Sequence, residues 1–310
     1  MRRRALARVV AGTVLAGLGG WLTANATLGQ RSARAQTPSP PAVEIGRSQE
    51  ARFLPGTDSN RPVFILAIGS DARPGQPVAR LRADSIHIVA VNPRRGAATI
   101  LGFPRDSYVP IPGVGTRKIN DAMVAGGPQL VERTVEGITG IPIDYWMLTS
   151  FQGLSRMVND IDGLTVNIRY PMHDRFAGTN FNPGKRRLSG GQALAFARDR
   201  HSAPGGDFGR SSNQGRLMLA AHKKLRRDFS LDPIRLFTWI RTGVRNVRTD
   251  LSLGEILNLS FVALQVNPRK VTNHVVPGRT GSAGGASVVF ISSGARAIYA
   301  DIRDDGVLNR

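Results

Sequence analysis

Three short apolar segments near the start of the folded part of the chain limit its fold more than any other feature. They span residues 63–68, 85–91 and 98–103, and each has the length and the β-branched content of a strand. Strands that are apolar on both faces are usually covered on both faces. The pattern therefore predicts a sheet with helices on either side. No repeat of twenty to fifty residues occurs, which favours one α/β domain.

Apolar spacing and turn residues predict the remaining helices, strands and loops. Helical spacing is found at residues 127–137, 151–160, 189–197, 209–228, 233–248, 253–265 and 295–301. Further strands are predicted at 145–148, 164–168 and 271–276. A polar loop is predicted over residues 171–187, and a Gly/Ser-rich loop over residues 277–286.

The first 35 residues have the pattern of an export segment. Four arginines among the first eight residues precede an uncharged run over residues 9–30, about long enough to span a bilayer with the basic side in the cytoplasm. The sequence before Gln36 fits cleavage after Ala35. Residues 1–35 are therefore predicted to be a membrane anchor or signal peptide, residues 36–61 an extracytoplasmic linker, and residues 62–310 the catalytic domain. The expected location is the cell membrane, single-pass, or secreted after cleavage.

The composition narrows the classes of partner and chemistry. The formal net charge is +20, and residues 36–310 retain +14 of it, which points to an anionic partner. Export argues against nucleic acid, so no nucleic-acid partner is expected. The absence of cysteine excludes disulfides, thiolate catalysis and cysteine-ligated metals. The five histidines are scattered without the spacing of zinc ligands.

Two familiar peptide motifs do not lead to a function. Residues 188–192 read LSGGQ, the signature peptide of ATP-binding-cassette ATPases. Those ATPases also need a GxxxxGK[ST] phosphate loop. In the nearest candidate, Gly184-Lys185 is followed by Arg186, and Thr179 stands in place of the first glycine. The chain also lacks the G-x-S-x-G elbow of a serine hydrolase.

Residues 196–214, FARDRHSAPGGDFGRSSNQ, form the most specific segment of the chain. Arg198, Arg200 and Arg210 flank a Pro-Gly-Gly turn, and Asp207 lies close to the last of them in sequence. Arginine binds phosphate oxygens through a planar fork and stays charged. The segment therefore predicts a pocket for a doubly phosphorylated anion. The alternative, from the residues alone, is a solvated basic loop.

Charged residues also stand at the ends of three predicted strands, where open α/β sheets place their ligands. The segments read GSDAR, RADSI and PRDSY. Asp71 and Asp84 offer the oxygen ligands that Mg²⁺ prefers and often shares with substrate phosphates. Arg105 would face the same anion. The alternative for each oppositely charged pair is a surface salt bridge, worth ~0–1 kcal/mol.

In their order along the chain, these segments resemble the motifs of a known family. GSDAR, RADSI, PRDSYV, KIN, LSGGQALAFARDRH and GDFGRSSNQ are similar to the LytR-CpsA-Psr (LCP) family of cell-envelope proteins, over about residues 63–225. The resemblance implies a three-layer α/β/α fold with a central mixed sheet. It implies a Mg-dependent phosphotransferase that moves a glycopolymer from a polyprenyl pyrophosphate lipid to peptidoglycan or a related wall acceptor. The alternative is a protein that binds polyprenyl pyrophosphate or wall polymer without transferring it.

The resemblance also implies roles for individual residues. Asp71 and Asp84 take the metal positions. The substrate-binding positions are Arg82, Arg105, Lys118, Asn120, Arg198, Arg200, Arg210 and Gln214. The catalytic positions are Arg105, Arg198, Arg200 and Asp207. Asn213 departs from the family pattern, in which arginine is common there, and His87 and Asp121 stand where apolar or small residues are more usual.

The implied reaction sets two further expectations. The leaving group would be polyprenyl phosphate and the attacking group a sugar hydroxyl, with Asp71 or Asp207 as candidates to take its proton. The isoprenoid tail requires an apolar tunnel. Residues expected to line it, which serve equally well as core residues, are Leu130, Leu154, Phe196, Leu217 and Phe237.

Overall fold

Residues 61–309 are described by the computed structural model. The strands, in chain order, are β1 (Val63–Ser70), β2 (Ala83–Asn92), β3 (Ala97–Phe103), β4 (Tyr108–Ile111), β5 (Gly115–Lys118), β6 (Tyr145–Ser150), β7 (Leu164–Ile168), β8 (Gly184–Leu188), β9 (Val247–Thr249), β10 (Val271–Val275), β11 (Gly278–Ala283) and β12 (Ala286–Ile291). The helices are α1 (Asp121–Thr139), α2 (Phe151–Asp160), α3 (Gly190–Arg198), α4 (Asp207–Leu231), α5 (Arg235–Asn246), α6 (Leu253–Gln265) and α7 (Ala295–Asp305).

Six of these strands form a central mixed sheet. Its order is β10-β3-β2-β1-β6-β9. Strand β1 runs parallel to β6, and β10 runs parallel to β3, while the other neighbours are antiparallel. The remaining strands form three two-stranded hairpins, β4–β5, β7–β8 and β11–β12.

Helices cover both faces of the central sheet, as its apolar strands require. On one face, Leu66 and Ile88 pack in a single core with Val131 of α1 and Ile302 of α7. On the other face, α6 packs through Leu259, and α2, α3 and α4 form a further core with the β7–β8 hairpin. The predicted three-layer α/β/α fold with a central mixed sheet is confirmed.

Several predicted elements match the structure closely, and three do not. Helices α2 and α6 and strand β7 have the predicted bounds. The predicted polar loop over 171–187 is wrong at its end, because β8 begins at Gly184 and pairs with β7. The predicted Gly/Ser loop over 277–286 is instead most of the β11–β12 hairpin. The predicted helix over 233–248 ends at Asn246, because Val247–Thr249 pairs with β6 at the sheet edge.

The LSGGQ peptide has a structural role at the start of α3. The Ser189 side chain accepts a hydrogen bond from the Gln192 amide, and the Gln192 side chain accepts one from the Ser189 amide. This reciprocal pair is a capping box, which satisfies two backbone donors at the start of a helix. The resemblance to the ATPase signature therefore reflects helix capping in this fold.

The N-terminal predictions fall on residues that the structure does not describe. The anchor or signal over residues 1–35 and all but Arg61 of the 36–61 linker lie outside the described residues. Within residues 61–309, no helix is both long enough and apolar enough to cross a bilayer.

Candidate functional site: an arginine cluster beside an apolar cavity

A cavity of about 330 Å³ lies between the sheet and the helices α2, α3, α4 and α5. Its sheet side is formed by Ala67 and Gly69 of β1 and by Met147 of β6. The helices contribute mostly apolar side chains: Phe151, Leu154, Met157, Val158, Leu194, Leu217, Met218, Ala221 and Trp239. The charged residues that line it are Asp84, Arg198 and Arg210. The cavity therefore joins an apolar interior to a charged region where β2, α3 and α4 meet.

The predicted tunnel residues have different outcomes in the structure. Leu154 and Leu217 line the cavity, as expected. Leu130 lies in the core on the opposite face of the sheet, where α1 packs. Phe196 is fully buried within the core formed by α3 and α4 and does not line the cavity, and neither does Phe237. The alternative core role therefore holds for Leu130 and Phe196, and Phe237 is not part of the cavity lining, because helical spacing does not indicate which face of a layer opens to a cavity.

Arg105 is the centre of the charged region. Its Nη1 donates a hydrogen bond to Asp84 Oδ1 at 2.5 Å, and its Nε lies 4.0 Å from a carboxylate oxygen of both Asp106 and Asp207. Burial lowers the pKa of the Arg105 guanidinium, but these three carboxylates outweigh burial and raise it. Its Nε is buried without a hydrogen-bond partner among the described residues. A buried donor without a hydrogen bond is uncommon in a folded protein and often has a functional explanation.

Arg210 and Asp207 form a buried pair on the first turn of α4. Arg210 is only 5% exposed and donates a hydrogen bond to Asp207 Oδ1. Burial lowers the pKa of Arg210, and Asp207 opposes this effect. The second oxygen of Asp207, Oδ2, is buried and has no hydrogen-bond partner within residues 61–309. Buried charge of this kind is costly unless it is fully paired, so the pair is a candidate part of a functional site.

Asp71 lies beside this cluster at the junction of β1 and β2. Its amide donates to the Arg82 carbonyl at 3.2 Å, which holds the ends of the two strands together. Burial and the nearby Asp84 carboxylate raise the pKa of Asp71. Its Oδ1 is buried without a hydrogen-bond partner in the described part of the chain. The two predicted metal positions therefore lie close together but differ in their hydrogen bonding. The Asp84 carboxylate accepts a hydrogen bond from Arg105, whereas the Asp71 carboxylate keeps one unpaired oxygen.

Gln214 connects α4 to both of its neighbours in the site. Its side-chain amide donates to the Asp84 carbonyl at 3.2 Å and to the Ala197 carbonyl at 3.1 Å. These contacts fix the end of α3, which carries Arg198, against the start of β2. Gln214 is thus a buried link within the site and also lines the cavity.

The other predicted arginines lie around Arg105 and differ in their contacts and in whether they line the cavity. Arg198 lines the cavity, and its guanidinium lies over the Phe151 ring, 5.0 Å from the centroid. Arg82 forms an ion pair with Asp121 at 3.6 Å. Arg200 is exposed on the turn after α3 and is not among the residues that line the cavity.

Lys118 and Asn120 approach the site from the β4–β5 hairpin, which the sequence patterns did not predict. Lys118 Nζ lies 3.3 Å from Asp106 Oδ1. The Asn120 amide donates to the Arg105 carbonyl at 3.3 Å, and its side-chain Oδ1 is buried without a partner in the described region. Both residues therefore support the segment that carries Arg105.

Asn213 does not face the charged cluster. Its side-chain amide donates to the Tyr170 hydroxyl at 2.9 Å, and its carbonyl accepts a hydrogen bond from Arg216 at 2.9 Å. The contact with Tyr170 joins α4 to the segment after β7, and the contact with Arg216 lies within α4. The departure from the family pattern at this position is a packing feature in this fold.

His87 and Gly102 are residues of the site that the sequence patterns missed. His87 is fully buried in β2, with Nε2 3.1 Å from the Ser211 carbonyl and Nδ1 3.1 Å from Ser85 Oγ. Burial lowers the pKa of His87 to about 4, so its ring is neutral, and Nε2 donates to the carbonyl. The ring therefore holds α4, one residue after Arg210, against the sheet. Its isolated position in the sequence gives no signal of this role.

Gly102 makes the close approach of α4 to the sheet sterically possible. A Cβ at this position would overlap Ser211 Oγ and lie 2.8 Å from His87 Nε2. We expect Gly102→Ala to lower the free energy of unfolding by about 1–3 kcal/mol, the usual cost of overpacking a buried site. Urea unfolding measures this change.

The control for that substitution is Gly137→Ala in α1, where a Cβ would meet nothing within 4 Å. Because alanine favours helix, this variant should gain roughly 0.5–1 kcal/mol. Equal stability of Gly102→Ala and the unmodified protein would show that α4 is not held this tightly.

The fold and the site together define a class: an α/β/α protein in which an arginine-rich charged region adjoins an apolar cavity. The chain belongs to the LytR_cpsA_psr family, whose model matches residues 25–299.

Individual relatives agree with this assignment. The polyisoprenyl-teichoic acid–peptidoglycan teichoic acid transferase TagU of Enterococcus faecalis is 33% identical over 219 residues, which is 70% of each chain. The TagU of Bacillus subtilis is 34% identical over 200 residues, 64% of this chain and 63% of the relative. The crystal structure of B. subtilis TagV matches with a TM-score of 0.68 at 25% identity, over 79% of this chain and 98% of TagV. TagT bound to LI-WTA has the same fold, with a TM-score of 0.66 at 23% identity over 85% and 95% of the chains.

Proposed function

We propose that this protein is a phosphotransferase that moves a glycopolymer from a polyprenyl (pyro)phosphate lipid carrier to peptidoglycan or a related cell-wall acceptor. The observation that carries the proposal is the junction of the arginine-rich charged region with the apolar cavity. A polyprenyl diphosphate has the same two parts, an anionic head and an apolar tail. The transferases that are similar in sequence act on a polyisoprenyl-linked polymer and peptidoglycan by name, which supports the same donor and acceptor classes here.

In this proposal the tail occupies the cavity and the diphosphate lies against the arginines. Arg105 has an unpaired Nε, and Arg198 and Arg210 line the cavity. Planar guanidinium groups bind phosphate oxygens through two parallel hydrogen bonds. The buried Arg210–Asp207 pair keeps a positive group oriented toward the same region. Stabilisation by such fixed charges requires little reorganisation during the reaction.

The reaction breaks one phosphorus–oxygen bond and forms another. A hydroxyl of the acceptor attacks the sugar-linked phosphorus, a new phosphodiester forms, and polyprenyl phosphate leaves with the electron pair of the broken bond. The hydroxyl proton passes to a carboxylate. Asp71 and Asp207 each keep a buried unpaired oxygen, so both remain candidates for this role.

Magnesium is part of the proposal. Within residues 61–309 no group of three or more His, Asp or Glu side chains forms a metal cluster, so a metal would depend on substrate oxygens. The two proposed metal positions, Asp71 and Asp84, lie beside each other, and Asp71 keeps an unpaired oxygen that suits such a metal. Mg²⁺ is commonly held by one or two carboxylates together with substrate phosphates. When bound, it would supply positive charge to the diphosphate.

The test of this function is a transfer assay with the purified full chain. Polyprenyl-diphosphate-linked glycopolymer and peptidoglycan should yield attached polymer in Mg²⁺, and chelation with EDTA should lower the rate by about 10²-fold or more, since it removes a major stabilising charge. Added Mg²⁺ should restore the rate. Unchanged transfer in EDTA would remove magnesium from the proposal. Bound lipid without any transfer would instead indicate a binding protein.

We propose further that the folded domain works outside the cytoplasm, attached to the cell membrane by residues 1–35. The proposal depends on the basic residues that precede the uncharged run over 9–30. Protease added to cells with a permeable wall and an intact membrane should then cleave the domain. Complete protection of the domain until the membrane is lysed would contradict this location.

A further inference from the structure

An anchored loop beside the arginine turn carries an exposed aromatic ring. The loop, residues 172–181, leaves β7 and returns toward β8, and its ends are joined by backbone hydrogen bonds between Met172 and Phe181 of 2.8 and 2.9 Å. Phe176, within the loop, is 68% exposed. A single exposed apolar residue is ordinary. What distinguishes Phe176 is the set of contacts that hold its loop in place.

Buried polar groups fix this loop to the turn that follows Arg198. Asp174 accepts hydrogen bonds from His201 Nδ1 at 2.8 Å and from the Phe176 amide at 2.8 Å. Thr179 Oγ1 donates to the buried Asp199 carboxylate at 2.6 Å. Burial raises the pKa of Asp174, but hydrogen bonds from His201 and from loop amides outweigh it and lower the pKa to about 2. The carboxylate is therefore ionised at neutral pH, and the loop is tied to the arginine turn.

Cationic and aromatic groups surround the exposed ring. The Arg175 guanidinium lies 4.8 Å from the Phe176 centroid, and the His201 ring lies 5.3 Å from it. His201 directly follows Arg200 in the chain, so this surface continues from the charged site. Arg175 and Arg200 are both exposed. The loop thus presents one apolar ring and one guanidinium group, and the neighbouring turn presents a second guanidinium, that of Arg200.

We propose that Phe176 and Arg175 form a subsite for an acidic glycan. The apolar face of a sugar ring packs on Phe176, and an anionic substituent of the same or the next sugar pairs with Arg175. Aromatic rings provide large contact area at low entropic cost, and Arg binds carboxylate or phosphate through its fork. The inference rests on the proposed function and deepens it, because the transferred polymer and the wall acceptor of that function are both glycans.

Calorimetric binding to the purified full chain tests the subsite without any turnover. The probes are a disaccharide-peptide fragment of peptidoglycan, a lipid-free anionic glycopolymer, and neutral chitotetraose. Phe176→Ala should weaken binding of at least one acidic probe about three- to tenfold, and Phe176→Tyr should retain it. Arg175→Gln should weaken the acidic probe but leave chitotetraose unchanged. Leu231→Ala, another residue with a highly exposed side chain, is the matched control and should bind as the unmodified protein does.

The acidic probe that responds identifies the source of the glycan. A response of the peptidoglycan fragment assigns the subsite to the acceptor, and a response of the lipid-free polymer assigns it to the donor. Unchanged binding of both acidic probes by Phe176→Ala, or a failure of the unmodified protein to bind either, would overturn the inference. Phe176-dependent binding in a protein that transfers no polymer would contradict the proposed function and leave the subsite standing.

Discussion

Arg105→Ala should lower the rate of polymer transfer by about 10²- to 10³-fold, the effect of removing one fixed donor that stabilises developing charge. Arg105 forms an ion pair with Asp84, so the substitution also leaves the Asp84 carboxylate without its positive partner. The added repulsion would act against a diphosphate at the same place. Initial rates with saturating lipid-linked donor measure the effect.

Two further variants separate charge from geometry at this position. Arg105→Lys keeps the positive charge but loses the planar fork, and it should recover only part of the rate. Arg117→Ala removes the same charge from the exposed surface of β5 and should transfer at the normal rate. Equal rates for Arg105→Ala and Arg117→Ala would show that Arg105 contributes only to the overall charge.

Ala67→Trp should prevent the lipid tail from binding. Ala67 lies in β1 on the sheet side of the cavity, where a large side chain would project into the space proposed for the tail. Because that space is a cavity, the indole can enter it with little displacement of the protein. We expect the affinity for polyprenyl diphosphate to fall roughly tenfold or more, a loss of about 1.4 kcal/mol or above. Mass spectrometry of extracted lipid and a binding titration measure it.

The control for the cavity variant is Ala300→Trp, on the exposed face of α7. It adds the same side chain away from the cavity and should bind lipid normally. Normal lipid binding by Ala67→Trp, with the variant folded, would contradict the assignment of the tail to this cavity.

The sequence patterns predicted the elements that are apolar and regular. Strands β1, β2 and β3 were recognised from apolar runs, and α2 and α6 from their helical spacing. The β8 strand, GKRRL, and the β11 strand, GRTGSA, have no such pattern. Strand β11 pairs with β12 across a short turn, and β8 pairs with β7 across the long connection of residues 169–183. Polar hairpins of this kind become evident only when the partner is in place.

The sequence predicted which charged residues belong to the site, but it did not predict which of them form ion pairs with one another. The ends of β1 and β2 supplied Asp71 and Asp84, and the arginine turn supplied Arg198 and Arg210. The sequence did not indicate that Arg105 would bind Asp84, nor that Asp71 would keep an unpaired oxygen. These outcomes depend on distances across the sheet, which local spacing does not determine. Whether the predicted residues act in catalysis and metal binding stays a prediction.

His87 and Asn213 also have roles that local sequence patterns could not predict. Each is an unusual residue for its position, and each is explained by a contact with an element distant in sequence. His87 meets the Ser211 carbonyl, 124 positions further along the chain, and Asn213 meets Tyr170. The departure from the family pattern therefore identified these two residues as unusual, but it did not indicate the contacts that they make.

The most direct measurement of the central claim is the stoichiometry of a single round of transfer. Purified full chain is mixed with polyprenyl-diphosphate-linked glycopolymer and peptidoglycan in Mg²⁺, and both released polyprenyl phosphate and wall-attached polymer are counted. The proposed reaction predicts one polyprenyl phosphate released for each polymer attached, with both products reduced together in Arg105→Ala. Bound lipid that is never released as polyprenyl phosphate, with no polymer attached to the wall, would contradict it.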